Sequence, residues 1–134
     1  MDIEIERRRE KLNIISGAIL ASSIEVHRQM GPGLLESIYK HCLISELRSR
    51  NICVDEEVPV KLYYKSQELD KIFRIDLLVE REIIIELKAE EGYNALYEAQ
   101  LLSYLKLADK RLGFIINFHV PLLKQGFKRM VSAF

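Results

Sequence analysis

Two short runs, Phe73-Arg74-Ile75-Asp76-Leu77-Leu78-Val79 and Ile83-Ile84-Ile85-Glu86-Leu87-Lys88, are separated only by Glu80-Arg81-Glu82. In both runs the odd positions are apolar: Phe73, Ile75, Leu77 and Val79, then Ile83, Ile85 and Leu87. Side chains alternate across a strand, so these residues share one buried face of a hairpin if the turn keeps register. The opposite face then carries Arg74, Asp76 and Leu78 on one strand and Ile84, Glu86 and Lys88 on the other. A turn centred on Arg81 sets Asp76 directly against Glu86, because both are equidistant from it. Cross-strand partners have Cβ atoms about 4.5–5.5 Å apart.

Two carboxylates that close repel unless a cation or a proton lies between them. Their hard oxygens suit Mg²⁺, which keeps several waters. Such an ion lowers the pKa of a water and offsets charge developing on a phosphoryl oxygen. Lys88, next along the same face, can orient that water or stabilise the phosphorus centre. The plainer alternative is a solvated face of mixed charge. Leu78 and Ile84 on that face point instead to a partly covered cleft.

Outward from the hairpin the periodicity changes. Leu12, Ile15, Ile19, Val26 and Met30 form one helical stripe, which predicts a helix over 11–29. Gly31-Pro32-Gly33 breaks it, and a second helix carries Leu34, Leu35, Ile38, Tyr39, Cys42, Leu43 and Leu47 to about Arg50-Asn51. Ile52, Val54, Val58, Val60, Leu62 and Tyr64 alternate as a strand, with polar residues 65–70 as a turn. The hairpin strands follow over 71–79 and 83–89. A helix over 95–109 carries Tyr97, Leu101, Tyr104 and Ala108. Gly113 to Phe118 is a buried strand and Phe127 to Val131 a last one. This order predicts an α/β fold, a mixed sheet covered by helices, in a single domain over 1–134.

Twenty Lys and Arg balance twenty Asp and Glu, and that excludes a bulk electrostatic nucleic-acid binder. At 134 residues and 49% hydrophobic content the chain can bury a core and is not disordered. No apolar run approaches the roughly 20 residues of a membrane helix, and Met1 to Lys11 is no signal peptide. Cys42 and Cys53 are expected as reduced thiols, which fits a cytoplasmic protein.

The hairpin residues resemble the core of the PD-(D/E)XK nuclease superfamily: Asp76, then Glu86-Leu87-Lys88. Gly33-Leu34-Leu35-Glu36-Ser37-Ile38-Tyr39 resembles the GxxExxY signature of a small prokaryotic family placed within it. Val26-His27-Arg28, Gln100 to Tyr104 and Ile116-Asn117-Phe118 extend the resemblance over nearly the whole chain. It implies an αβββαβ core with an extra N-terminal helix, a divalent metal (Mg or Mn), and cleavage of phosphodiester bonds in nucleic acid, DNA foremost. By the same resemblance Asp76, Glu86 and Glu36 would hold metal and Lys88 would be the catalytic lysine. Gln100 and Tyr104, with Tyr39, would be supporting or substrate-positioning residues. Ile75 stands where the superfamily name has Pro, a change that removes no ligand.

Several residues have structural readings of their own. Glu36, in a first helical turn, can meet the dipole and cap free amides. Tyr39 and Tyr104 read as packed rings, whereas Gln100 among leucines needs partners. His27, His41 and His119 show no zinc spacing with Cys42 and Cys53. Arg7-Arg8-Arg9 reads as a solvated helix face; Lys124, Lys128 and Arg129 are candidate phosphate contacts. A small neutral domain would hold nucleic acid weakly, which leaves room for a homodimer, a partner protein, or a non-catalytic interaction module on the same fold.

Overall fold

The computed structural model describes residues 2–132. Helix α1 (Ile3–Met30) begins at Asp2, whose side chain accepts the Glu4 amide at 2.9 Å. Glu4 and Glu6 lie in its first turn and His27 and Arg28 in its last, as the helix dipole favours. The helix therefore starts eight residues before the position expected from its apolar stripe (3 against 11). The reason is physical: Asp2 to Lys11 are all exposed, so capping and propensity extend the helix where no apolar pattern can mark it. Arg8 lies on that extension and pairs with Glu82 at 3.1 Å.

Gly31, at φ 70°, ends α1, and α2 (Glu36–Ser49) follows the Gly-Pro-Gly turn. Three antiparallel strands come next, β1 (Val54–Tyr64), β2 (Gln67–Val79) and β3 (Ile83–Lys88). Helix α3 (Leu96–Leu107) crosses over to β4 (Leu112–Asn117), which pairs with β3 in parallel. A short 3-10 turn, Leu123–Gly126, leads into β5 (Phe127–Val131), antiparallel to β4. The sheet runs in the order β1-β2-β3-β4-β5, with α2β1β2β3α3β4 forming the expected αβββαβ succession. Only Lys65 and Ser66 connect β1 to β2, not the whole of 65–70. Both have positive φ, as a type I′ hairpin turn requires, so Gln67 and Glu68 pair with Tyr64 and Tyr63, and Leu69 and Asp70 continue the strand through a register shift.

The central strands β3 and β4 are buried on both faces. One core joins α1 and α2, through Ile19, Val26, Tyr39, Leu43 and Leu47, to Leu77, Val79, Ile83, Ile85 and Leu87. The other packs Leu101 and Leu105 of α3 on Ile75, Leu78, Ile84 and Ile115. Central β3 consequently buries Ile83, Ile84 and Ile85 in succession.

The seven odd-numbered residues of the hairpin do not share one face. Leu77, Val79, Ile83, Ile85 and Leu87 do, but Ile75 and Phe73 turn to the α3 side. Alternation breaks at Asp76. There the β1–β2 ladder omits the 57/76 pair, and Glu57 adopts φ 51°. A local irregularity of this kind bends the strand and re-aims side chains.

Candidate active site

Two strands and the break between them position the carboxylates. The β2–β3 register Leu77↔Ile85, Leu78↔Ile84, Val79↔Ile83 is centred on residue 81, and the next positions along it are Asp76 and Glu86. Regular pairing stops at Leu77↔Ile85. In its place Asp76 Oδ2 accepts the backbone amide of Leu87 at 2.9 Å. The side chain thus replaces a ladder bond and remains beside Glu86.

Glu86 is half-buried, and its Oε1 is shut off from solvent with no hydrogen-bond partner among the described residues. Burial pushes its carboxyl up to about 8, the neighbouring Asp76 charge pushes in the same direction, and Lys88 opposes both. At neutral pH the bare site holds a proton that a cation would displace. The Leu78 and Ile84 side chains beside the pair are buried under α3, so this is a covered cleft and not a solvated face.

Lys88 ends β3 with its Nζ 4.2 Å from the centroid of the Tyr97 ring, within cation–π range. The Tyr97 hydroxyl donates to Glu90 Oε1. Asn117 fixes the loop that carries Glu90: its Nδ2 donates to the Glu90 carbonyl at 2.8 Å, and its Oδ1 accepts the Glu90 amide at 3.3 Å. The same Oδ1 accepts the His119 amide at 3.0 Å.

Glu36 is the first residue of α2 and caps nothing. Burial raises its carboxyl pKa, the Asp76 and Glu90 charges raise it further, and Lys88 and Lys40 oppose them. It therefore senses the strand carboxylates. Even so, no group of three or more His, Cys, Asp or Glu side chains among the described residues converges as a ready-made metal cage. The donor set that fits a hard cation is the Asp76–Glu86 pair, where the orphaned Oε1 supplies a free ligand atom, with Glu36 outside that pair.

Tyr39 is fully buried, stacks on Phe118 with centroids 4.6 Å apart, accepts the Leu34 amide at 3.1 Å and donates to the Gly31 carbonyl. It fastens the turn that presents Glu36. Tyr104 stacks on Phe73 at 4.4 Å, and burial, then the Glu86 and Asp76 charges, raise its hydroxyl pKa. Gln100 is half-buried and, by helical spacing, shares an edge of α3 with Tyr97 and Tyr104. His27 Nε2 donates to the Val120 carbonyl at 2.8 Å. Cys42 and Cys53 are free thiols. Lys128 reaches Glu98 at 3.7 Å.

Sequence reasoning missed three contributors: Tyr97 as the platform for Lys88, Glu90, and Asn117. Tyr97 was legible as the residue one turn before Gln100. The loop contacts of Glu90 and Asn117 join β3 to β4 across 27 residues, and no local pattern encodes them.

A model described as the PD-(D/E)XK nuclease superfamily matches residues 13–130. The chain belongs to the PD-(D/E)XK nuclease superfamily. A solved structure, "Crystal structure of SSO0001", is similar to it at a TM-score of 0.53 and 19% identity. The match covers 73% of this chain and 50% of that one, so the chain spans half the length of that protein and shares its fold. No curated protein matches the chain. No helix among the described residues is long and apolar enough to cross a membrane.

Proposed function

We propose that this superfamily member hydrolyses phosphodiester bonds of nucleic acid with a divalent cation, Mg²⁺ or Mn²⁺, held by Asp76 and Glu86. The observation that carries the reading is the unpartnered, solvent-shielded Oε1 of Glu86 beside Asp76, with Lys88 two residues further on. A buried carboxyl oxygen without a partner costs about 1–3 kcal/mol, and sites that tolerate this are characteristically functional. When bound, the cation supplies charge neutralisation at the scissile phosphate and acidifies water.

The chain's own residues do the rest. Asp76, tied to the Leu87 amide, and Glu86, half-buried where the β2–β3 ladder ends, present oxygens held in place by the strands. Lys88, steadied over Tyr97, holds an ammonium next to them to orient a water or a phosphate oxygen. Glu36 adds a third negative charge from the α2 side, as a helix acid in the signature Gly33-x-x-Glu36-x-x-Tyr39 of the GxxExxY family would. Gln100 and Tyr104 line the α3 side and position substrate. DNA is the favoured substrate, and the reading places the protein in the cytoplasm as a single domain over 1–134.

The test is cleavage of single- and double-stranded DNA with Mg²⁺ or Mn²⁺ by the natural protein, Glu86→Ala and Lys88→Ala. Cleavage that needs the cation and falls at least about 100-fold in both variants is expected. Equal residual activity in natural and substituted proteins would rule this site out.

A further inference from the structure

Beside Lys88 the structure has a cavity of about 340 Å³ that the two carboxylates do not use. It lies between the loop after β3 and the turn before β5. Ile115, Val120 and Phe127 are the apolar residues of its lining. Around the rim stand Lys88, Tyr93, Asn94, Tyr97, Gln125 and Lys128.

Both walls are fixed to one residue. The β3 side is held by the paired Asn117–Glu90 bonds. On the β5 side Gly126 packs so closely that a Cβ there would come within 2.1 Å of the Asn117 carbonyl oxygen. The cavity is therefore built into the fold and not a gap between mobile loops.

Its polar groups are biased toward donation. The Asn94 side-chain oxygen is spent on the Leu96 amide at 3.0 Å, and that of Gln125 on the Leu122 amide at 3.3 Å. Asn117 has committed both ends of its amide. The Asn94 side chain also meets the Tyr97 hydroxyl, which leaves the Gln125 amide N–H, the Tyr93 hydroxyl and two ammonium groups among the lining side chains. Lys128 is held only by the exposed contact with Glu98, which contributes little. Tyr93 is 70% exposed and offers an uncovered ring, whereas Lys88 occupies a face of Tyr97. A partly apolar lining, an open aromatic ring and donor side chains match a nucleobase with its acceptor atoms, and the lysines match the flanking phosphates. A base inside a duplex would have to leave its stack to enter, at a cost of a few kcal/mol.

We infer that this cavity is a subsite for one unpaired nucleotide, stacked on Tyr93 and contacted by Gln125 and Lys128, which makes a single strand or a frayed end the substrate class. This deepens the phosphodiesterase reading and rests on it for the adjacent chemistry. It also explains how a chain of balanced charge holds nucleic acid: one stacked base contributes what a basic surface would otherwise supply.

The test is binding without cleavage, in EDTA at low salt. A single-stranded hexadeoxynucleotide containing 2-aminopurine is compared with a blunt hairpin duplex. Quenched fluorescence and an affinity about ten-fold above that for the duplex are expected. Tyr93→Ala weakens single-strand binding about ten-fold, Tyr93→Phe retains it, and Gln125→Ala weakens it less. Tyr93 is exposed, so its substitution leaves folding intact. Equal affinity for both probes, or binding unchanged in Tyr93→Ala, overturns the subsite even if metal-dependent cleavage is found. Tyr93-dependent binding with no cleavage under any cation sustains the subsite and overturns the phosphodiesterase reading.

Discussion

The backbone amide of Leu87 donates to Asp76 Oδ2 at 2.9 Å, so a side chain of β2 completes the pairing of β3 where the regular ladder ends. One bond thereby fixes the spacing of the two carboxylate-bearing strands. Asp76→Asn keeps an acceptor for that amide and removes the charge. Since the Asp76 charge is one of the causes that raise Glu86, the Glu86 carboxyl should titrate below about 8 in this variant, though still above the ordinary carboxylate range because burial remains. Carboxyl ¹³C shifts across a pH series measure it. Asp76→Ala also orphans the Leu87 amide and should cost about 1–3 kcal/mol in denaturant unfolding.

The raised Glu86 pKa makes a signed prediction for stability without metal. In the unfolded chain Glu86 ionises near the ordinary carboxyl value of 4.5, whereas the folded protein holds the proton to about 8. Its contribution is fully present below the lower value and is lost as pH rises through the window, by at most about 1.4 kcal/mol per pH unit. Glu86→Gln removes that slope. Melting curves in EDTA between acid and mildly alkaline pH should therefore converge at low pH, with the variant the more stable at high pH. Parallel curves would show that Glu86 has no such shift.

Glu57 carries φ 51° at the position omitted from the ladder opposite Asp76, and its carboxylate pairs with Lys40 of α2. A non-glycine residue in that region costs on the order of 1 kcal/mol. Glu57→Gly relieves the backbone cost but releases the tie to α2. Its melting temperature should hold or rise while its affinity for Mn²⁺ drops several-fold. A parallel loss of both would assign Glu57 to stability alone.

Gly126→Ala places a methyl within 2.1 Å of the Asn117 carbonyl oxygen, a backbone atom that cannot swing aside. A loss of about 1–3 kcal/mol is expected in urea unfolding. Gly17→Ala, with nothing within 4 Å and a helical setting, is the control and should stabilise slightly.

Much of this was legible in the chain because it is local. The turn centred on Arg81 and the alternation of Leu77, Val79, Ile83 and Ile85 set the hairpin register, and with it the approach of Asp76 to Glu86. Leu78 and Ile84 signalled a covered cleft for the same reason. What escaped is what alternation cannot encode. The reversal of face at Asp76 depends on the Glu57 backbone in another strand, so Phe73 and Ile75 were assigned to the wrong side. The first turns of α1 have no apolar stripe to read, and Lys65-Ser66 lacks the usual Asn-Gly signal of a tight hairpin. The Lys88–Tyr97–Glu90–Asn117 chain depends on α3 and β4 closing over β3, which is tertiary packing.

The central claim is that Asp76 and Glu86 together hold a divalent cation. Calorimetric titration of the metal-free protein with Mn²⁺ at pH 8, repeated at pH 6 and with Glu86→Gln, tests it most directly. A single saturable site is expected at pH 8, about ten-fold or more weaker at pH 6 because a proton must leave Glu86 first, and undetectable in the variant. Binding that is absent from the natural protein, or the same in Glu86→Gln, would contradict it.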